Sequence, residues 1–214
     1  MLVSSLEDVQ SPADAQKILN DTQPDWVVWS AGAGGKGGSE RTYAIDRDAA
    51  ICFIRAAVDT PSVSKFLLVS ALSIRRAKAQ WWSEDGYQSV RKVNEEVMPD
   101  YYKAKLAADE VLTVLGEERR RRDGNFQYVI LRPGRLTDGE ETGKVSLGKT
   151  VATGSVPRAD VAAVAAELLG SEANGWFDLL EGKEGVKEEV ERVVKDGVDS
   201  REGEDLDAMK KNLA

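Results

Sequence analysis

The sequence contains no histidine among its 214 residues. This absence excludes Ser-His-Asp and Cys-His catalysis, and it excludes metal sites built on imidazole ligands, so no metal site is predicted. Any chemistry must therefore use Tyr, Lys, Ser, Arg or carboxylate side chains, or a bound cofactor.

Cysteine is nearly absent as well, since Cys52 is the single thiol. One thiol cannot form an internal disulfide, which favours a reducing compartment and predicts a cytoplasmic protein. Cys52 lies in the apolar run AAICFIRAAV, so a buried small hydrophobe is favoured over a reactive thiol. There is no secretory signal pattern and no apolar run of membrane-spanning length, so no membrane partner is predicted.

Basic charge is in deficit. The 29 Lys and Arg side chains face 37 Asp and Glu side chains, which leaves a formal net charge of −8. A chain without a basic surplus has little with which to neutralise phosphates, so nucleic acid is not expected as a partner. The basic run Arg119–Arg122 is flanked by acidic residues, which is typical of a solvated helix end rather than of a polyanion site.

What is present is an alternation of strand-like and helix-like segments. Continuous apolar segments at 26–30, 66–70 and 127–132 are typical of strands buried in a parallel sheet. A helix with Ser11 as its N-cap precedes the first of these, and MLVSSLED at the start of the chain is predicted to be a short strand. The pattern predicts an α/β fold, a three-layer doubly wound architecture with a mostly parallel sheet.

Domain organisation follows from the lack of an internal repeat and of any linker rich in Pro, Gly or Ser. We predict one domain over residues 1–198 and a polar C-terminal tail over residues 199–214 that frays.

Three strand ends carry features that suggest chemistry, because ligands of such sheets bind at the carboxyl ends of the strands. The small residues of Ser30–Gly35 let a ligand lie close to the backbone, and a merely flexible loop is an equal alternative. Tyr101 and Lys105 share a helix face, where the lysine would lower the pKa of the phenol. A core tyrosine with a snorkelling lysine is the alternative. A sharp turn at Pro133–Gly134 would leave Arg135 beside the strand ends.

Four segments, taken together and in this order, resemble the atypical short-chain dehydrogenase/reductase family, specifically its small NAD(P)-binding, NmrA-like branch. The segments are SAGAGGKGGSERTYAID, FLLVSAL, YYKAK and ILRPGRLTD. The resemblance covers nearly the whole chain, from VSSLED to FDLLEG. It implies a Rossmann-like fold that binds NAD or NADP. It also implies an oxidoreductase that moves a hydride between nicotinamide and a small carbonyl-type substrate.

The resemblance implies roles for individual residues. Tyr101 would be the acid/base, and Lys105 would tune it and bind the ribose. Ser70 would donate a hydrogen bond to the substrate oxygen, with Ser73 as a rival for that role. The residues implied to bind the cofactor are Ser5, Leu6, Ala31, Gly32, Ala33, Lys105, Pro133, Gly134 and Arg135.

The sequence departs from the family at its start, because residues 1–25 contain no Gly-x-x-Gly-x-x-Gly turn for the phosphates. The fold is therefore expected to be N-terminally shortened, with Lys36 and Arg41 replacing the turn in part. The strand at 26–29 would have an unpaired edge. We expect MLVSSLED to pair with that edge; the alternatives are a homodimer through it, or poor folding.

Two further alternatives stay open at this point. Trp81, Trp82 and Tyr87 in AQWWSEDGYQSV either roof a substrate pocket or pack a long insertion. The chain itself is either an enzyme or a non-catalytic module that senses a dinucleotide or binds a partner protein.

Overall fold

The computed structural model of the protein describes residues 5–34 and 37–213. They fold into helices and strands that alternate along most of the chain. The strands are β1 (Trp26–Trp29), β2 (Lys65–Val69), β3 (Gln127–Pro133), β4 (Arg135–Thr137), β5 (Lys144–Gly148), β6 (Ser155–Pro157), β7 (Gly175–Glu181) and β8 (Glu184–Gly185). The α-helices are α1 (Pro12–Thr22), α2 (Gly38–Thr42), α3 (Ala50–Asp59), α4 (Glu84–Lys92), α5 (Pro99–Asp123), α6 (Arg158–Leu169), α7 (Val186–Lys195) and α8 (Leu206–Asn212).

Six strands form the main sheet in the order β1-β2-β3-β7-β5-β8, and β4 pairs with β6 in a separate two-stranded sheet. β3 and β7 are parallel, with Val129 opposite Gly175. The strands β5 and β7 are antiparallel, as are β5 and β8. The Ser70 N–H donates to the Leu131 carbonyl just past the end of β2, while the Gln127 N–H donates to the Ser64 carbonyl just before its start, so β2 and β3 run in the same direction.

The fold prediction is confirmed, since the central sheet is mostly parallel and flanked by helices. The predicted strands at 26–30, 66–70 and 127–132 coincide with β1, β2 and β3 to within one residue at each end. β1 and β2 are neighbours in the sheet, as expected. Most of their apolar residues are buried, but Val69 on β2 is half-buried, and Trp26 and Val28 on β1 remain about half exposed.

Local sequence chemistry explains where the first helix begins. Ser11 accepts a hydrogen bond from the Asp14 N–H at 3.3 Å, and Asp14 Oδ2 accepts one from the Ser11 N–H at 2.9 Å. This reciprocal capping box satisfies two N–H groups that the helix itself cannot. Pro12 occupies the first turn, where no N–H is needed, so the prediction of a helix start at Ser11 is confirmed.

The predicted N-terminal strand is wrong over its described part. Residues Leu6–Asp8 form one 3₁₀ turn, and the remainder of MLVSSLED up to residue 4 lies outside the described residues. Within the part of the chain that the structure covers, β2 is the strand that neighbours β1. The expected pairing of MLVSSLED with β1 is therefore not seen for residues 5–8.

The described chain divides into two compact units. The first contains the described residues of Met1–Phe66, Pro99–Tyr128 and Asp205–Ala214, and the second contains Leu67–Met98 and Val129–Glu204. One hydrophobic core of the second unit gathers residues of the β3, β5, β7, α6 and α7 segments around Val129, Leu147 and Phe177. The single domain over 1–198 stays a prediction.

The C-terminal tail does not fray as expected. Residues Leu206–Asn212 form α8, capped by Asp205, whose carboxylate accepts hydrogen bonds from the Asp207 and Ala208 N–H groups. Met209 is buried, and Asn212 donates to Glu110 on α5 at 3.1 Å. Among the described helices, none is long and apolar enough to cross a bilayer.

Candidate functional site

The loop that follows β1 is held by a carboxylate on the next helical segment. Asp46, which is buried, lies in a π-helical stretch, Tyr43–Ala49, that continues from α2. Its Oδ2 accepts a hydrogen bond from the Ala33 N–H at 2.9 Å. A Cβ added to Gly32 would come within 2.7 Å of Asp46 Oδ1, so the absence of a side chain lets the loop lie close to this carboxylate without a shift of Asp46.

The predicted catalytic pair lies on α5, within the same unit. Lys105 is buried, and its ammonium nitrogen lies 4.0 Å from Asp46 Oδ1. Tyr101 is half-buried one turn earlier on the helix. Asp46 therefore contacts both the glycine loop and the lysine, with one carboxylate oxygen directed at each. π-Helical turns are frequent at functional sites because they shift side chains out of the ordinary helical register.

The expected direction of the Tyr101 pKa is wrong. Burial, followed by the charges of Asp46 and Asp109, raises the pKa of the phenol instead of lowering it. Burial also lowers the pKa of Lys105, against the opposing effect of Asp109 and Asp46. The sequence showed the lysine four residues from the tyrosine, but it did not show that the pair is buried or that Asp46 reaches it from another segment. Asp109 lies on α5 itself, one turn after Lys105.

Asp46 is the main residue that sequence reasoning missed. A signal existed: the acid lies between Ile45 and the buried pair Ala49–Ala50, on a segment whose neighbours face the core. A carboxylate at such a position must find a donor or a cation when it is buried. Its partners, the Ala33 N–H and Lys105, could not be read from local sequence, because they lie 13 and 59 residues away.

A second interaction joins the π-helical stretch that contains Asp46 to α5. The Tyr43 hydroxyl donates to Asp100 Oδ1 at 3.0 Å, next to Tyr101. Burial and the Asp100 carboxylate raise the pKa of Tyr43, so its hydroxyl keeps the donated proton. The helical stretch after the glycine loop is therefore fastened to the start of α5.

The predicted adenine-side residues lie near the first 3₁₀ turn. Ser5 is exposed and precedes the turn, and Leu6 is half-buried within it. Glu7 in this turn pairs with Arg41 at 2.8 Å, so Arg41 already has a carboxylate partner. Lys36 lies outside the described residues.

The predicted serine lies at the end of β2, in the second unit. Ser70 is buried, and its N–H donates to the Leu131 carbonyl at 2.8 Å. Its rival Ser73 is half-buried in the loop that follows. That loop is bound to β3 by a hydrogen bond from the Leu72 N–H to the Pro133 carbonyl at 2.9 Å.

Gly134, in the turn after β3, lies where a side chain would clash with its neighbours. The Gly134 N–H donates to the Leu179 carbonyl, and a Cβ at this position would lie 2.7 Å from the Gly154 carbonyl oxygen. Pro133 is buried and Arg135 is exposed, with the Arg135 N–H bonded to the Gly154 carbonyl at 2.9 Å. The cofactor role of these three residues stays a prediction.

The aromatic residues after β2 are mainly a packed cluster. Trp82 is buried with Leu72 and Leu180, and its indole N–H donates to the Thr150 carbonyl at 3.0 Å. Trp81 and Tyr87 pack against this cluster while half-buried. For Trp82 the structure therefore favours packing of the insertion over a pocket roof.

Comparison with known proteins agrees with this arrangement. The model of a family described as NAD(P)H-binding matches residues 4–172. The chain belongs to the NAD(P)H-binding family. The resemblance to atypical short-chain dehydrogenase/reductases and the prediction of NAD or NADP as the cofactor are thereby confirmed, while the NmrA-like branch stays a prediction.

Two curated relatives of this NAD(P)H-binding chain are similar over most of its length. The UPF0659 protein C216.03 of Schizosaccharomyces pombe is 32% identical over 163 residues, which cover 75% of the chain and 62% of the relative. The uncharacterized sugar epimerase YhfK of Bacillus subtilis is 32% identical over 171 residues, which cover 79% of the chain and 69% of the relative. The chain thus spans about two thirds of the length of these relatives.

A solved structure supports the same assignment. The oxidoreductase ylbE of Lactococcus lactis superposes with a TM-score of 0.67 at 25% identity, covering 91% of this chain and 77% of that one. The relatives are thus named as an epimerase and an oxidoreductase, and they do not agree on one reaction.

Proposed function

We propose that this chain is an NAD(P)-dependent oxidoreductase that moves a hydride between nicotinamide and a small carbonyl-type substrate. The observation that supports the proposal most is the cluster on the first unit: Asp46 holds the glycine loop at Ala33 and lies against Lys105. Tyr101 is half-buried on the same helix as that lysine. In the proposal, this cluster brings the loop that faces the ligand close to Tyr101, the side chain that carries the proton.

The loop after β1 is the proposed ligand-facing segment. Gly32 is exposed, and Ala31 and Ala33 on either side are small, so a bulky planar ligand can lie close to this backbone. In the proposal these three residues hold the adenosine and ribose side of the cofactor, with Ser5 and Leu6 near the adenine. Pro133, Gly134 and Arg135 hold the nicotinamide half, which accepts or supplies the hydride when bound.

Tyr101 is proposed as the proton donor. Its raised pKa keeps the phenol protonated through the neutral range, which suits donation to a carbonyl oxygen that gains a hydride. Lys105 provides a positive charge that favours the phenolate left after donation. Ser70, or its rival Ser73, donates a hydrogen bond to the same oxygen.

A second function has an observation in its favour. Lys105 is buried and paired with Asp46, and the pKa of Tyr101 is shifted away from neutrality rather than toward it. An arrangement of this kind also suits a module that binds a dinucleotide, or a partner protein, without turning over a substrate. The two functions differ in one measurable property, which is turnover of bound nucleotide.

The test begins with fluorescence titration of NADPH and NADH, followed by a screen of quinones and small aldehydes. We expect Tyr101→Phe to lower turnover by about 10²- to 10⁴-fold while nucleotide affinity and the unfolding temperature stay unchanged. Tyr102→Phe, the neighbouring residue on α5, is the matched control and should keep full turnover. No binding of either nucleotide at about 1 mM would refute the oxidoreductase. Nucleotide binding without turnover of any substrate would favour the second function, a non-catalytic binding module.

We also propose a homodimer and a cytoplasmic location. β1 is an edge strand of the main sheet in the described residues. Its residues Trp26 and Val28 are 49% and 47% exposed, and an exposed apolar edge strand favours self-association. Light scattering that gives a monomer mass at micromolar concentration would contradict the dimer. The support for the location is that a chain with one cysteine, Cys52, cannot form an internal disulfide, which is typical of proteins in a reducing compartment.

A further inference from the structure

An ion pair joins the first 3₁₀ turn to the helix that follows the glycine loop. The turn is Leu6–Asp8, the helix is α2 (Gly38–Thr42), and the pair is Glu7 with Arg41. Arg41 Nε lies 2.8 Å from Glu7 Oε1, and both side chains are about half exposed. Both segments belong to the first unit. The pair therefore connects the two places where the proposed function puts the adenosine, which are the turn beside the adenine and the glycine loop.

The side chain of Arg41 lies against the end of the glycine loop. A Cβ added to Gly37 would come within 2.5 Å of Arg41 Cδ, so the aliphatic part of the arginine covers the backbone of this glycine. Long charged side chains often cover a surface with their methylene groups while the charged head stays in solvent. The guanidinium of Arg41 is thereby held beside the loop and remains accessible to a ligand.

The outer edge of the Arg41 guanidinium is available for such a ligand. Within the described residues, Glu7 binds its Nε, and its two terminal nitrogens make no hydrogen bond. A guanidinium presents parallel N–H groups along this edge, which match two oxygens of a phosphate. Glu7 therefore fixes the direction of the guanidinium without occupying the edge that binds anions.

Arg47, on the helical stretch that continues from α2, has no such free edge. Its Nε and Nη2 donate to the two carboxylate oxygens of Asp48 at 2.6 and 3.1 Å, and its guanidinium lies 4.5 Å from the centre of the Tyr43 ring. Its side chain is 40% exposed, against 41% for Arg41. The two arginines thus differ in how fully they are engaged and not in their exposure.

We propose that Arg41 binds the 2′-phosphate of the adenosine ribose and that Glu7 is its positioning residue, so the chain binds NADP in preference to NAD. This inference rests on the placement of the adenosine in the proposed function. The 2′-phosphate is the group by which NADP differs from NAD, and an arginine near the ribose accommodates it. Arg41 is assigned to this phosphate because Glu7 ties it to the turn on the adenine side. Neither residue takes part in hydride transfer.

The test measures dissociation constants by fluorescence titration with NADPH and NADH, and by competition with 2′,5′-ADP and 5′-AMP. These two fragments contain only the adenosine side, so the measurement does not depend on turnover. Arg41→Gln should weaken the binding of NADPH and 2′,5′-ADP by about 10- to 100-fold, because hydrogen bonds between charged groups are lost. The binding of NADH and 5′-AMP should not change, which also shows that the variant is folded.

Arg47→Gln is the matched control and should leave all four dissociation constants as in the parent protein. Glu7→Gln tests the positioning residue, because its amide oxygen can still accept a hydrogen bond from Arg41 Nε while its negative charge no longer opposes the phosphate. It should tighten the binding of NADPH by about threefold and leave that of NADH unchanged. A glutamate with a merely structural role would change the affinity for both nucleotides alike.

Equal affinity of the parent protein for NADPH and NADH overturns the inference and leaves the oxidoreductase intact. Equal loss of both nucleotides in Arg41→Gln, as a contact to the pyrophosphate would give, does the same. A preference for NADPH that Arg41→Gln removes, without turnover of any substrate, supports the inference and refutes the oxidoreductase. No binding of either nucleotide at about 1 mM overturns both.

Discussion

A buried ion pair of the first unit and a buried ion pair of the second unit are built in opposite ways. In the first unit Lys105 lies 4.0 Å from Asp46, a long contact to an ammonium group. In the second unit Arg132 lies 3.1 Å from Asp178, and it also binds two backbone carbonyls and a tryptophan ring. Lysine changes its pKa readily when buried, whereas arginine stays charged and fixes geometry through its fork.

In the proposed function, the first pair takes part in chemistry and the second fixes the shape of the fold. The 4.0 Å contact between Lys105 and Asp46 is long, so a ligand group can replace it at a small loss. A tightly held arginine cannot be displaced in this way, because moving it would leave buried carbonyls and a buried carboxylate without their donors.

The largest effect is expected from Arg132→Met. The methionine fills much of the same volume but leaves the Asp178 carboxylate buried without its cation, which costs about 3–5 kcal/mol of unfolding free energy. The measurement is urea denaturation at neutral pH. Arg158→Met is the matched control, because Arg158 forms an exposed pair with Asp138 at 2.8 Å and should cost less than about 1 kcal/mol. Equal losses in the two variants would show that the buried pair is no more important than a surface one.

A smaller effect is expected from the titration of Asp178. Burial raises the pKa of this carboxyl from 3.8 to about 6, against the opposing charges of Arg132 and Arg75. The folded state therefore binds the proton more tightly than the unfolded state does. The stability that this group contributes is complete below pH 3.8 and is lost as the pH rises through about 6.

Asp178→Asn removes this titration and retains the side-chain shape. The unfolding free energy of the parent minus that of the variant should fall by about 1–3 kcal/mol as the pH is raised from about 4 to about 7. A difference that rises with pH would mean that Arg132 outweighs burial and keeps Asp178 ionised throughout.

Sequence reasoning recovered what depends on neighbours along the chain. The apolar runs gave β1 to β3, and Ser11 with Pro12 marked the start of α1, because strand burial and helix capping are decided within a few residues. The spacing of Tyr101 and Lys105 likewise placed them on one helix. The motifs around them were sufficient to indicate the family and its cofactor.

Contacts between distant parts of the chain were not recovered. The pKa of Tyr101 is raised, opposite to expectation, because it depends first on burial and then on Asp46, which comes from a distant segment of the chain, with a further effect of Asp109 on the same helix. The tail was read as frayed because it is polar, yet Arg75, which lies 125 residues before Ser200, binds its backbone. The local sequence does not distinguish a polar residue that is buried against a distant partner from one that is exposed to solvent.

The smallest effect is expected at the pair of Lys105 and Asp46, from Gly32→Ala. The added methyl would lie 2.7 Å from Asp46 Oδ1, but this oxygen ends a side chain that can rotate slightly, so the cost is about 1 kcal/mol rather than a loss of folding. The shift would lengthen the contact to Lys105 and the hydrogen bond from the Ala33 N–H. We therefore expect NADPH affinity to fall by more than the change in stability alone would suggest.

A double-mutant cycle separates this mechanism from a general loss of loop flexibility. In an Asp46→Ala background the carboxylate is absent, so adding Gly32→Ala should cost almost nothing, and the two changes should be non-additive by about 1 kcal/mol. Gly34→Ala is the comparison variant, because a Cβ there meets no atom within 4 Å while its φ of +63° still opposes a side chain. Its cost should be the same with or without Asp46. If Gly32→Ala also costs the same in both backgrounds, the glycine serves backbone freedom alone, and Asp46 does not link the loop to Lys105.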